Sequence, residues 1–333
     1  MAMSRTALRV KAIAMILLAV ASILAHAQTP ERLTFRSYTP QDYADILNAR
    51  YLKHPVDLDG FLALPTATGQ VPAVVIIPGS GGFQAWMQNL VARRLNEAGI
   101  ATFIVDSFTA RGVKETSTNQ ATVPMASSVT DGFAALQFLA AHPKIDPLRI
   151  GITGFSRGGT VALFTQERKF LQAMNLKELQ FAAHLPFYPG CSTTILNPTP
   201  TSAPTLVLMG EKDDYTPAAQ CVPFIDRLRL AGAKASARIV AGAHHGWVSD
   251  APGVTWLGRV QNYGVCNASI DDGGVIREKT SGATSEEGWA SFATKVWKSC
   301  GKYGAHYGVT EPAREDSLKE MVRFFNESLA KRS

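Results

Sequence analysis

The run PAVVIIPG (72–79) is apolar, rich in β-branched residues and cut off at Pro78-Gly79. Such a run reads as a strand buried on both faces. It therefore needs a layer of helix above and below, and the chain that follows supplies both. Residues 84–98, QAWMQNLVARRLNEA, carry Trp86, Leu90 and Leu95 at helical spacing before Gly99. IATFIVD (100–106) is the next strand, SVTDGFAALQFLAAH (128–142) a helix stopped before Pro143, and RIGITG (149–154) a strand again. After a helix from about 157 to 169 come FAAHLPFYPG, PTLVLMGEKDD and ASARIVAGAHHG. Each is a strand-like run that ends in a loop of Gly, Asp or His. Earlier, LTFRSY (33–38) and LDGFLALP (58–65) read as short strands around a polar helical segment, and AREDSLKEMVRFFNESL (313–329) closes as an amphipathic helix. Strand and helix alternate from 72 to 250. That pattern predicts an α/β fold, a doubly wound and mostly parallel sheet with helices on both faces. Ligands gather beyond the carboxyl ends of such strands.

Two stretches stand apart from that rhythm. Residues 251–310 are rich in Gly, Ser, Asn and Trp and separate the last strand from the final helix. They read as an insertion near the strand ends, placed to shape or cover a site. Residues 1–27 combine Arg5, Arg9 and Lys11 with the apolar run AIAMILLAVASILA (12–25) and a small-x-small AHA ending at Ala27. This is the pattern of a secretory signal peptide, too short for a spanning helix. A periplasmic or secreted protein with one domain over 28–333 is expected, with no lasting membrane anchor. The leader would take three basic residues and no acid with it, lowering the formal charge of +6 to +3. With no clustered Lys/Arg stripe, nucleic acid is not an expected partner.

All four cysteines lie in the part that would be exported, and an even count in an oxidising compartment reads as two disulfides. Three pairings are possible. Cys191–Cys221 and Cys266–Cys300 are favoured, because each pair brackets its own section of chain. No C-x-x-C or His-rich spacing suggests a metal, and no cofactor is implied.

The chemistry is concentrated in RIGITGFSRGGTVAL (149–163). Gly154 and Gly158 flank Ser156 at a strand-to-helix junction, where residues without side chains let the backbone turn and lift the serine out. Downstream, MGEKDDYTP (209–217) sets Asp213 and Asp214 directly after one strand, and AGAHHGW (241–247) sets His244 and His245 after the next. A parallel sheet brings all three positions to one edge. A serine hydroxyl needs an imidazole to take its proton, and the imidazole needs a carboxylate to fix its tautomer. The tetrahedral intermediate then needs backbone donors. The amide of Arg157 is one, and PGSGG (78–82) offers the other at Ser80, with Gly81 beside it.

Taken together, GFSRGG, GEKDDYTPAAQC and GAHHGW resemble the dienelactone hydrolase family of α/β-hydrolases, in a secreted branch with serine as nucleophile. The resemblance spans roughly 55–250 and the final helix. It implies an acid three residues after the glycine that ends its strand, which selects Asp213, and a histidine directly before a small residue and an aromatic, which selects His245. It also implies that Arg111, in DSFTARGV (106–113), meets an anionic group of the substrate. The chain departs from the better-known members, which have a cysteine nucleophile, a glutamate near the oxyanion hole and a second arginine beyond the histidine. A plainer ester or lactone is thus as good a substrate as dienelactone. The expected activity is hydrolysis of a small ester or lactone through an acyl-enzyme. A peptidase or acyltransferase using the same residues, or a binding protein on a hydrolase scaffold, is the alternative. Acyl and alcohol preference and oligomeric state are not legible. His184 reads as a core histidine. Asp106 and Ser107 are as well suited to organising their loop as to touching substrate.

Overall fold

The computed structural model describes residues 30–176 and 178–331, so the expected signal peptide lies outside the described residues. One sheet holds β1 (Glu31–Tyr38), β2 (Pro55–Ala63), β3 (Val71–Ile77), β4 (Ala101–Asp106), β5 (Ile145–Phe155), β6 (Ala183–Phe187), β8 (Thr205–Gly210) and β9 (Ala235–Val240). Their order is β1-β2-β4-β3-β5-β6-β8-β9, while β7 (Thr193–Ile195) lies outside this sheet. β2 runs antiparallel to both neighbours, and every pairing from β4 to β9 is parallel. This is the mostly parallel, doubly wound sheet that the alternating pattern predicts.

Strand β3 is buried on both faces. Ala73, Val75 and Ile77 join one core, while Val74 and Ile76 join the other, as the two-residue period of a strand requires. The helices are α1 (Tyr43–Leu47), α2 (Arg93–Glu97), α3 (Met125–Ala140), α4 (Arg157–Phe164), α5 (Arg168–Ala173), α6 (Ala218–Leu230), α7 (Trp289–Cys300) and α8 (Ala313–Ser328). Phe133, Leu136 and Val161 of α3 and α4 fill the first core; Met321 and Phe325 of α8 fill the second, with Val91 from the π-helical turn (Met87–Ala92) before α2.

Two expectations need adjustment. The helix expected over 157–169 ends at Phe164 and resumes at Arg168, because Glu167 turns its carboxylate to the Thr199 amide at 2.8 Å. The 251–310 segment is more regular than its composition suggests. β10 (Thr255–Asn262) pairs antiparallel with β13 (Lys302–Tyr307). β11 (Ala268–Ile270) pairs parallel with β7 and antiparallel with β12 (Ile276–Glu278). α7 buries Phe292 and Val296, four residues apart on one face. Disulfides join Cys191 to Cys221 and Cys266 to Cys300. The first ties the loop after β6 to α6, and the second ties the turn before β11 to the end of α7.

His184 lies fully buried in β6 with Nδ1 2.9 Å from the Ala162 carbonyl, and burial lowers its pKa from 6.5 to about 4. An unfolded chain therefore takes up this proton before the folded one does. The fold keeps its full stability above pH 6.5 and loses about 3 kcal/mol through this group as pH falls toward 4. Urea midpoints measured across that window should fall less steeply for His184→Phe than for the natural chain.

Candidate active site

Ser156 sits between β5 and α4 with φ 56° and ψ −114°, a conformation strained for any residue with a side chain. Packing on both sides enforces it. A Cβ on Gly154 would lie 2.1 Å from the Gly158 carbonyl oxygen, and one on Gly158 would lie 2.0 Å from that of Ile77. Only glycines let α4 begin this close to the end of β3. The Ser156 amide is held by the Phe187 carbonyl at 3.0 Å, which registers the turn against β6.

The loop after β3 comes against the same point, since a Cβ on Gly79 would be 3.4 Å from the Ser156 Cβ. Ser80 follows it, and among the described residues its amide donates to no carbonyl. Its carbonyl accepts from the Thr116 amide at 2.7 Å, and its Oγ donates to Gln120 Oε1 at 3.0 Å. The Ser80 loop and the start of α4 at Arg157 thus lie beside Ser156. The Arg157 side chain turns away into the interior. Its Nη2 donates to the Val123 carbonyl at 2.5 Å, its Nε to Ser128 Oγ at 3.2 Å, and its guanidinium lies 5.8 Å from the Phe108 ring centre. Burial lowers its pKa to about 10, so it stays charged at neutral pH.

Beyond β8, Asp213 is 5 % exposed, and its Oδ1 accepts the amides of Tyr215 at 2.9 Å and Thr216 at 2.8 Å. Its Oδ2 meets His245 Nδ1 at 2.8 Å. That bond leaves Nε2 of His245 for proton exchange. The imidazole packs edge-on against Tyr188, with ring centres 4.8 Å apart, and at a tilt against Tyr215 at 4.7 Å. The Gly308 amide donates to the His245 carbonyl at 2.9 Å, so β13 braces the histidine loop from behind. Asp214 and His244 point elsewhere. Asp214 pairs with His306 Nδ1 at 2.8 Å on a half-exposed surface, and the His244 ring lies 5.6 Å from that of His306.

Arg111 is not at the site, which corrects its expected role as an anion clamp. Its Nη1 and Nη2 grip the fully buried Asp131 at 2.8 and 2.9 Å. Its other donors go to the Ser107 and Tyr38 carbonyls and Thr39 Oγ1. All five N–H groups of the guanidinium are used, leaving none for a substrate. Asp106 accepts the amides of Phe108 and Thr109 and so organises its own loop. Trp247 is fully buried and donates to Ser317 Oγ, while Trp86 lies in the wall of a cavity near Ser156.

Sequence reasoning missed Thr216 and Gln120. Thr216 Oγ1 lies 2.9 Å from Asp213 Oδ2, 3.0 Å from His245 Nδ1 and 3.1 Å from the Tyr188 carbonyl. A hydroxyl three residues after the acid in DDYT was the available signal. The Gln120 amide accepts from Ser80 and donates to Tyr215 Oη at 3.3 Å, while its backbone amide donates to Gln261 Oε1 at 2.8 Å. It joins four separate parts of the chain, which no spacing pattern reveals.

Two cavities meet at Ser156, with Ser80 and Tyr215 in the wall of both. One, of about 190 Å³, lies between the main fold and the 251–310 segment, with residues of both in its wall. The other, of about 260 Å³, contains His245. Among the described residues no group of three or more His, Cys, Asp or Glu could hold a metal ion.

The sequence profile described as the Dienelactone hydrolase family matches residues 58–269, well over half of the chain. A probable 2-oxo-3-(5-oxofuran-2-ylidene)propanoate lactonase of a Bradyrhizobium species is 25 % identical over 195 residues, covering 56 % of this chain and 77 % of that protein. Among solved structures, a dienelactone hydrolase-like promiscuous phosphotriesterase from metagenomic libraries superposes with a TM-score of 0.52 at 17 % identity. That match covers 90 % of this chain and 98 % of the other, and it supports the fold.

Breaking the Arg111–Asp131 pair tests its structural role. Arg111→Met would leave a buried carboxylate unpaired and should lower unfolding free energy by about 3–5 kcal/mol. Urea denaturation reads that loss, and KM of the folded fraction for any ester should stay within about twofold of the natural chain's, a shift worth under ~0.5 kcal/mol. A rise in KM confined to anionic substrates would instead restore the clamp.

Proposed function

The chain belongs to the dienelactone hydrolase family of ester and lactone hydrolases, and from that premise we propose that it is an exported serine hydrolase working through Ser156, His245 and Asp213. The observation that carries the reading is the 2.8 Å bond from His245 Nδ1 to Asp213 Oδ2, at the strand-end edge where the strained Ser156 turn also lies.

In this reading His245 Nε2 takes the proton of Ser156 Oγ as the oxygen attacks the acyl carbonyl. Asp213 holds the Nδ1–H tautomer and balances the imidazolium. The carbonyl oxygen becomes an anion between the amides of Ser80 and Arg157, each such donor being worth about 3–4 kcal/mol of barrier. The C–O bond to the alcohol then breaks, and the leaving oxygen takes the proton back from Nε2. Water attacks the acyl-enzyme by the same route in reverse, giving the acid and free Ser156. With a lactone the alcohol stays tethered, and the product is a hydroxy acid.

Thr216 is the positioning partner of the acid and base. Nδ1–H of His245 is shared between Asp213 Oδ2 and Thr216 Oγ1, while the threonine hydroxyl donates to Asp213 or to the Tyr188 carbonyl. Export rests on the signal-like residues 1–27 and fits two disulfides, with no helix long and apolar enough to cross a membrane among the described residues. We read 28–333 as one hydrolase domain with 251–310 as its insertion.

Intact mass after fluorophosphonate treatment tests the nucleophile: one adduct is expected on the natural chain and none on Ser156→Ala. A folded natural chain that stays unmodified would overturn the reading. Asp213→Asn keeps the volume but favours the wrong imidazole tautomer, and should lower kcat by about 10,000-fold. Steady-state hydrolysis of a p-nitrophenyl ester reads this directly.

A further inference from the structure

Ser156 stands where two cavities join, and they differ in composition. The first has Tyr43 and Phe164 from the main fold on one side and Tyr263, Trp289, Phe292 and Val296 from the 251–310 segment on the other. No acidic side chain lines it. Its single charged residue, Arg157, turns Nε and Nη2 to Ser128 and Val123 and lies near the Phe108 ring. At about 190 Å³ it is somewhat larger than an apolar cavity of about 150 Å³ known to take up benzene. Six aromatic rings line it, a wall suited to edge and offset contacts with another ring.

The second cavity contains His245, with Trp86, Tyr188, Leu257 and Tyr307 around it and Asp250 at its edge. His245 is absent from the wall of the first. Since the base returns its proton to the departing alcohol, the leaving group must lie on the histidine side. The acyl group is then directed to the other.

We propose that the chamber walled by Tyr43, Phe164, Tyr263, Trp289, Phe292 and Val296 is the acyl subsite, and that it takes the ring of an arylcarboxylic ester, with the alcohol leaving on the His245 side. The assignment rests on reading Ser156 and His245 as nucleophile and base. The wall is fastened before substrate arrives. Trp289 Nε1 donates to the Ala121 carbonyl at 2.7 Å, Gln261 Oε1 accepts the Gln120 amide, and the Cys266–Cys300 disulfide closes the base of α7. A preformed aromatic chamber binds a flat ring at small entropic cost. Small aliphatic acyl groups leave the chamber unfilled, so discrimination should favour the ring.

The test compares kcat/KM for methyl cinnamate, methyl acetate and cinnamyl acetate, which place the same ring on the acyl side, on neither side, or on the alcohol side. Methyl cinnamate should exceed methyl acetate by at least about tenfold, and by more than cinnamyl acetate does. Ala293→Trp, which puts bulk into the chamber wall, should cut the cinnamate-to-acetate ratio by about tenfold or more. Trp289→Ala, which removes a ring from the wall, should lower the same ratio should the larger residue not fold. A ratio unmoved in both variants, or one that falls only for cinnamyl acetate, would overturn the acyl assignment. Fluorophosphonate labelling of the natural chain separates the two levels. An unlabelled serine refutes the hydrolase reading, whereas a labelled serine without acyl preference refutes the chamber alone.

Discussion

The close approach of α4 to the end of β3 is the constraint on which the rest depends. At Gly158 there is no room for even one carbon beyond Cα, because the Ile77 and Pro78 carbonyls occupy that space. The same contact forces Ser156 into positive φ and sets the first amide of the helix beside the Ser80 loop. One packing event thus fixes the serine and the start of the helix together. The strain at Ser156 is held between β5, α4 and the Phe187 carbonyl of β6. The cost is met by the two cores, whose apolar faces on β3 alternate residue by residue.

The acid and base are held by a different kind of force. His245 lies between tyrosine rings and accepts support from β13 through its own carbonyl, while both oxygens of Asp213 are bonded. Rings limit the tilt of the imidazole, and hydrogen bonds limit its rotation. Thr216 adds a contact to both partners at once. An arrangement with so few free torsions needs little reorganisation during proton transfer.

Much of this was legible in the sequence, because the chemistry hangs on strand ends. PAVVIIPG, RIGITG and PTLVLMG are apolar runs stopped by Gly or Pro, and the residues after them fall at one sheet edge whatever the loop details. Arg111 was misread for the opposite reason. Its role depends on Asp131, twenty residues on and inside α3, and on backbone carbonyls of β1 and its own loop. No local pattern distinguishes an arginine that faces substrate from one that locks a strand to a helix. Helix α7 was obscured by its Gly- and Ser-rich surroundings, although Phe292 and Val296 carry its period. The Gln120 junction is likewise a product of tertiary packing alone.

The strands of the 251–310 segment pair with β7 and with each other, and none enters the eight-stranded sheet. Its helix α7 is therefore mechanically separate from the turn that strains Ser156, whereas β13 of the same segment still braces His245. Substitutions along one face of α7 can change the shape of the aromatic chamber while β3, β5 and α4 keep their packing. The architecture divides what must be conserved from what is free to vary. A lineage carrying it could explore new substrates through α7, with the reaction centre and its β13 brace inherited intact.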